Sequence, residues 1–318
     1  MIGRVAGAAG PRLLDADPDP DHNRLVLSIA GAPGAVRDCV FAAVAIAVET
    51  IDLRLHSGVH PRVGAADVVP FVPLEDDSLA ACVDLAQEFG ERVWEELRLP
   101  VLFYGAAAPG GNRSLREIRG ANPPAPDIGS GRHPSAGCVC IGARRPLIAY
   151  NVLLPGVPFA VAARIARSLR ASEGGLPGVQ ALAFQVTLGS QVSMNLIAPD
   201  LTSPAIALEA VRERARALGV RAGADEVVGL CPAAFALPAA SGAILEGRLA
   251  AAALRIAGWS DELADRLAKV RADNTSLLGA AAEIASVQRS LKPGGAFGSE
   301  VGALLEHSRR ELARVAEA

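Results

Sequence analysis

Basic charge is not in excess in this chain of 318 residues, which carries 31 Lys and Arg against 34 Asp and Glu for a formal net charge of -3. Proteins that wrap nucleic acid neutralise phosphates with a clustered surplus of cations, so the composition argues against a nucleic-acid partner. Long apolar runs are also missing. The longest, Cys39 to Val48, is about half of what a membrane-spanning helix requires, and Asp38 and Glu49 bracket it. The amino terminus lacks the continuous apolar stretch of a secretory signal, so neither export nor a membrane home is expected. Cysteines are few and odd in number. Cys39, Cys82, Cys138, Cys140 and Cys231 lie scattered through apolar segments, which suits buried thiols of a reducing compartment better than a disulfide framework. A cytoplasmic protein is expected. Cys138 and Cys140 share one face of an expected strand, but no second Cys or His pair with ligand spacing accompanies them, and no metal site is expected.

Apolar material is plentiful at 51% of residues, enough for the cores of two compact domains. The middle of the chain has the clearest periodicity. Pro146 to Leu154 has the length and the Tyr and Val content of a strand, and Phe159, Ala162, Ile165 and Leu169 then recur at helical spacing before Gly174, Gly175 and Pro177. Ala181 to Leu188 and Gln191 to Ile197 read as strands with a tight turn at Gly189-Ser190. Leu208, Val211, Ala215 and Leu218 mark a second helix, and Glu226 to Cys231 a closing strand, which completes the β-α-β-β-α-β order of a split βαβ, ferredoxin-like unit.

The first half alternates in a similar way: strand at Leu25 to Ala30, helix from about Val36 to Leu53, strand at Asp67 to Val72, helix at Leu79 to Leu97, strand at Val101 to Tyr104. It reads as one strand short, with a later strand at Gly137 to Ile141 beyond a Pro-rich loop from Asn122 to Pro134. After about residue 237 the chain is Ala-rich and reads as helices packed on one another, with a break at Lys292-Pro293-Gly294-Gly295 and a last charged helix from Glu300. No internal repeat is visible.

The densest polar cluster is His56-Ser57-Gly58-Val59-His60-Pro61-Arg62-Val63-Gly64-Ala65-Ala66-Asp67, between a helix end and a strand start. Such a loop can bring a base and a cation to a ligand, and its residues can equally cap a helix and fix a turn. His56 and His60 have the i, i+4 spacing of a zinc-protease helix. Ser57 stands where that motif needs Glu, and Gly58 and Pro61 disfavour a helix, so a zinc hydrolase is not supported.

Residues 56 to 73, His-Ser-Gly-Val-His-Pro-Arg-Val-Gly-Ala-Ala-Asp-Val-Val-Pro-Phe-Val-Pro, resemble the signature of the formiminotransferase family. The likeness extends to Leu14-Asp15-Ala16-Asp17, Asp21-His22-Asn23-Arg24, Pro126-Asp127-Ile128-Gly129, Gly142-Ala143-Arg144, Leu147 to Val152, Gln191 to Leu196 and Val228-Gly229-Leu230, roughly residues 12 to 235. The resemblance implies an α+β fold of two ferredoxin-like subdomains facing each other across a folate tunnel, here 1 to 144 and 145 to 236, with a helical tail at 237 to 318. It implies transfer of a formimino group from N-formimino-L-glutamate to tetrahydrofolate as co-substrate, in a homodimer. The family's catalytic histidine falls on His60 and its aspartate partner on Asp17. The folate-contacting segment falls on Gly129, Ser130, Gly131, Arg132, His133, Pro134, Ser135, Ala136 and Gly137. Arg24, Arg62 and Arg144 are the cations expected to meet the substrates' carboxylates, because guanidinium binds carboxylate bidentately. Family members open with a strand ending in a Val-Pro-Asn-Phe-Ser-Glu-Gly-type turn. This chain shows neither, which leaves a catalytically degenerate folate-binding homologue as the alternative expectation.

Overall fold

The computed structural model describes residues 1–74, 78–237, 241–290 and 299–317 of a mixed α+β chain. Two compact units emerge, the first made of Met1–Gly10, His22–Arg24 and Pro33–Pro146, the second of Pro11–Asp21, Leu25–Ala32 and Leu147–Ala318.

The chain starts with a short helix α1 (Ile2–Gly7), then forms a two-stranded sheet from β1 (Leu13–Asp19) and β2 (Arg24–Ile29). The strand expected at Leu25 to Ala30 therefore exists, but it pairs with β1 and not with the sheet of the first unit. The Asp-Pro-Asp-Pro run looks like a turn because Asp and Pro are turn formers. Asp15, Asp17 and Asp19 nevertheless alternate with Leu14, Ala16 and Pro18 at the period of a strand, and Leu14 is buried. Pro18 is tolerated because a two-stranded sheet leaves one side of each strand without a ladder to break.

In the first unit, α2 (Pro33–Thr50) and α3 (Leu79–Leu97) accompany a three-stranded parallel sheet of β3 (Val68–Phe71), β5 (Val139–Ala143) and β4 (Val101–Gly105), with β5 in the middle. Ala86, Phe89, Gly90 and Val93 recur along the buried face of α3 at helical spacing. They pack with Phe41 and Val44 of α2 on Val101, Phe103, Val139 and Ile141. The opposite face of the sheet holds Leu102, Tyr104 and Cys140, covered by Val63, Cys138 and Ile118 of the short helix α4 (Leu115–Ile118). Every residue of β5 is buried, as a central parallel strand covered on both faces requires. Val63 thus anchors the polar loop of residues 56 to 67 to the face away from α2 and α3.

The second unit runs β6 (Ile148–Pro155), α5 (Phe159–Leu169), β7 (Val179–Val186), β8 (Gly189–Leu196), α6 (Pro204–Ala217), β9 (Asp225–Cys231) and β10 (Ser241–Ile244). The sheet order is β10-β9-β6-β8-β7, with β6 antiparallel to both β8 and β9 and only β10 parallel to its neighbour. The β7–β8 turn is made by Thr187 and Leu188, two residues before the Gly189-Ser190 expected, and Gly189 opens β8 with a φ of 139° that favours glycine. Ile148, Tyr150, Val152 and Leu154 bury one face of β6 with α5 and α6. Helices α7 (Leu245–Ile256), α8 (Asp261–Ala268), α9 (Asn274–Ser290) and α10 (Ser299–Glu317) form a helical core that also takes in Leu14 and Ala30. The break expected at Lys292 to Gly295 lies outside the described residues. No helix among the described residues is long and apolar enough to cross a membrane.

Candidate active site

Two segments singled out in the sequence are brought together in the first unit. The backbone N–H of Leu53 donates to Ser135 O at 2.8 Å, that of Ala65 to Ala136 O at 2.9 Å and that of Cys138 to Val63 O at 3.0 Å. Arg132 adds a side-chain bond from Nη2 to Val63 O at 2.8 Å. Within the second segment His133 and Gly137 exchange backbone bonds, and His133 Nδ1 accepts from Ala136 N at 3.0 Å, which closes a turn over residues 133 to 137. Pro134 and Ser130 are exposed, Ser135 is half-buried, and Gly129 and Gly131 take positive φ values of 80° and 68°.

The polar loop is held from inside by two groups. Asp67 accepts from Val63 N at 2.6 Å through Oδ1, while its Oδ2 pairs with the Arg119 guanidinium just after α4. Arg62 uses all three guanidinium nitrogens on the chain itself. Its Nη2 donates to His22 O at 2.8 Å, its Nη1 to Asn23 O at 3.1 Å and to His56 Nδ1 at 2.5 Å, and its Nε to His60 O at 3.3 Å. The guanidinium expected to meet a substrate carboxylate is thus engaged in tying the His22–Asn23 turn to the His56–His60 loop. Arg62→Ala is therefore expected to lower the melting temperature by several degrees, at a cost of about 2 to 3 kcal/mol for bonds to a charged donor. Arg62→Lys should not restore it, because one ammonium cannot reproduce the planar fork. Thermal melts of both variants check this, and a lysine variant as stable as the parent would show that charge alone suffices.

His60 is half-buried, with its ring edge-on to buried His22 at a centroid distance of 6.2 Å. Burial first, then the positive charges of Arg24 and Arg119, and after these His22 and Arg62, push its basicity down to about 3. His60 is consequently a neutral imidazole at neutral pH. Its folded value lies below the unfolded value near 6.5, so the unfolded chain binds the extra proton between those limits. The stability that His60 contributes is present above pH 6.5 and is lost as pH falls toward 3. Between pH 7 and pH 5 the parent should lose about 1 kcal/mol more than His60→Gln, a figure reduced because solvent reaches part of the ring. Denaturant titrations at the two pH values measure the difference, and parallel losses would remove the shift.

Asp17 is on β1 in the second unit, where its Oδ2 accepts from Gly229 N at 3.1 Å. Arg144 and Arg145 follow the end of β5, and Arg144 Nη1 donates to Arg145 O at 3.0 Å. The second unit also holds a part-buried polar network to which the sequence pattern assigns no role: Glu226 Oε1 accepts from Asn151 Nδ2 at 2.9 Å and from Gln191 Nε2 at 3.1 Å. These side chains sit on the sheet face away from α5 and α6. Polar residues alternating with buried apolar ones along β6 and β8 were the available signal. Arg119 also has no role in the sequence pattern, whereas His22, read there as a structural or rim residue, is buried.

Fold and site define a mixed α+β protein whose loop histidine is kept neutral among cations. The chain belongs to the formiminotransferase family: the family model of the N-terminal subdomain of the formiminotransferase domain matches residues 2–144, and that of the formiminotransferase domain matches residues 149–251. A glutamate formimidoyltransferase of Thermoplasma acidophilum is 40% identical over 244 residues, covering 72% of this chain and 80% of the relative. One from Streptococcus pyogenes serotype M1 is 34% identical over 248 residues, covering 73% and 83%. The formimidoyltransferase-cyclodeaminase of Rattus norvegicus is 36% identical over 258 residues, covering 74% of this chain but 48% of that longer protein. By its family the chain is a one-carbon group transferase.

Proposed function

We propose that the chain transfers the formimino group of N-formimino-L-glutamate to nitrogen 5 of tetrahydrofolate, with His60 as general base. The observation that carries this reading is one half-buried imidazole kept neutral by burial and by Arg24, Arg119, His22 and Arg62, whose guanidinium charges suit two substrates rich in carboxylates. The lone pair of nitrogen 5 attacks the formimino carbon, and the proton left on that nitrogen passes to His60. The tetrahedral adduct then collapses: the bond from the formimino carbon to the glutamate nitrogen breaks, and His60 returns the proton to that nitrogen. Glutamate and 5-formiminotetrahydrofolate result. Incoming carboxylates oppose the cations that depress His60, raising it toward the range where a base is efficient.

Tetrahydrofolate enters as co-substrate, and the names of the relatives support the pairing with formiminoglutamate. In this reading Gly129 to Gly137, Arg24 and Arg144 contact folate or substrate, and Asp17 supplies the carboxylate that accompanies the histidine in the family motif. The sheet order of the second unit supports its assignment as ferredoxin-like. A transfer assay with N-formimino-L-glutamate, run beside a tetrahydrofolate titration, tests the proposal. Turnover supports it, binding without turnover selects the degenerate folate binder, and the absence of both removes the reading.

A further inference from the structure

The loop that carries His60 is fastened within the first unit by a strap. Helix α4 crosses the sheet face that Val63 and Cys138 also cover, with Ile118 buried among Leu102, Tyr104 and Cys140. A capping box of Ser114 and Glu117 fixes its start, and an arginine at either end clamps it to an aspartate: Arg113 to Asp127, and Arg119 to Asp67 just before β3. The two clamps differ. Arg113 makes a bidentate pair, with Nη1 donating to Asp127 Oδ2 at 2.6 Å and Nη2 to Oδ1 at 3.1 Å. Arg119 gives Asp67 one nitrogen, Nη2, and its buried Nε has no hydrogen-bond partner among the described residues. A buried donor left unpaired weakens a fold, so stability alone does not account for this second clamp.

Asp67 passes the hold of Arg119 on to the loop: its Oδ1 accepts from Val63 N at 2.6 Å, three residues after His60, and from Gly64 N at 3.4 Å. The charge of Arg119 also reaches the imidazole, together with those of Arg24, His22 and Arg62, whereas Arg113 does not act there. Tyr104 and Cys140 feel the same charge, but burial pushes both up, Cys140 to about 12, and neither is an anion at neutral pH. Asp67 is the only ion-pair partner of Arg119 among the described residues. We propose that Arg119 is a positioning residue of the transfer reaction, setting the place of His60 through Asp67 and presenting a fixed positive charge to its imidazole. The proposal rests on the transfer reading for the reaction that His60 serves.

Titration of the imidazoles by nuclear magnetic resonance reads the charge without any substrate, the signal of His60 being the one of five that His60→Gln lacks. His60 stays neutral in the parent as pH falls from 7 to 5, and Arg119→Met should raise its protonated fraction at pH 5 about tenfold, because removing a cation favours the proton. A stronger base alone would speed the reaction, so a fall in kcat reads displacement of His60. Arg119→Met should lower kcat about tenfold with both KM values within about twofold, and Arg119→Lys, which keeps the charge and one donor for Asp67, should restore the titration and bring kcat within about threefold of the parent. Arg113→Met breaks the other clamp and should lower the melting temperature without moving the titration of His60. Should Arg119→Met not fold, Arg119→Gln takes its place with the same expected titration. An unchanged titration in the uncharged variant would overturn the proposal, as would an equal shift in Arg113→Met or a lysine variant as impaired as the methionine one. A parent that shows the Arg119-dependent titration without turnover would support the placement of Arg119 while removing the transfer reading.

Discussion

His60→Ala is expected to lower kcat by at least about a hundredfold while the Kd for tetrahydrofolate moves by less than about threefold. A general base acts on the barrier to proton transfer and contributes little to ground-state binding. The structure sharpens the expectation because His60 is held by more than its own side chain. Its carbonyl accepts from Arg62, and its ring faces His22. His56→Ala supplies the contrast, since it removes one of several acceptors of Arg62 and should cost less than about tenfold. Single-turnover rates and a folate titration separate the two quantities. A near-normal rate in His60→Ala would take the residue out of the mechanism, and equal losses of rate and affinity would make it a binding or structural residue.

Much of the fold was legible because its elements follow simple periods. Helix α3 spans the expected Leu79–Leu97, and the β-α-β-β-α-β order of the second unit follows from apolar runs of strand length interleaved with helical spacing. β1 was not legible as a strand because the local preference of Asp and Pro for turns competes with an alternation that matters only once Leu14 has the helical tail to bury against. The candidate site shows the same division. The polar loop stands out because its residues are contiguous, whereas Arg119 meets Asp67 from 52 positions away and Asn151 meets Glu226 from 75. Pairings at that range depend on which strands become neighbours, which local pattern does not encode. Arg62 is a third case, since residue type suggests a carboxylate ligand and says nothing of the backbone carbonyls of His22, Asn23 and His60 that gather round its guanidinium.

Gly64→Ala is expected to destabilise the first unit by about 3 kcal/mol or more, lowering the melting temperature by roughly 6 to 12 °C, because overpacking here cannot relax through a side chain. A Cβ on Gly64 would lie 1.7 Å from the carbonyl oxygen of Cys138 and 2.8 Å from its carbon, both backbone atoms. Gly64 pairs with Gly137 across an isolated antiparallel bridge, and the Cys138 N–H donates to Val63 O on the same contact. Moving either strand of this contact would release Val63 from the sheet face and loosen the loop that carries His60. Activity should therefore fall together with stability. Gly34→Ala is the control: it lies in the first turn of α2 with no atom within 4 Å of the added carbon, and should be neutral or stabilising by up to about 1 kcal/mol. Denaturant melts of the two variants measured together decide the matter. If Gly64→Ala melted with the parent, the segment of residues 133 to 138 would not be what fixes the loop, and the placement of His60 would rest on Arg62 and Asp67 alone.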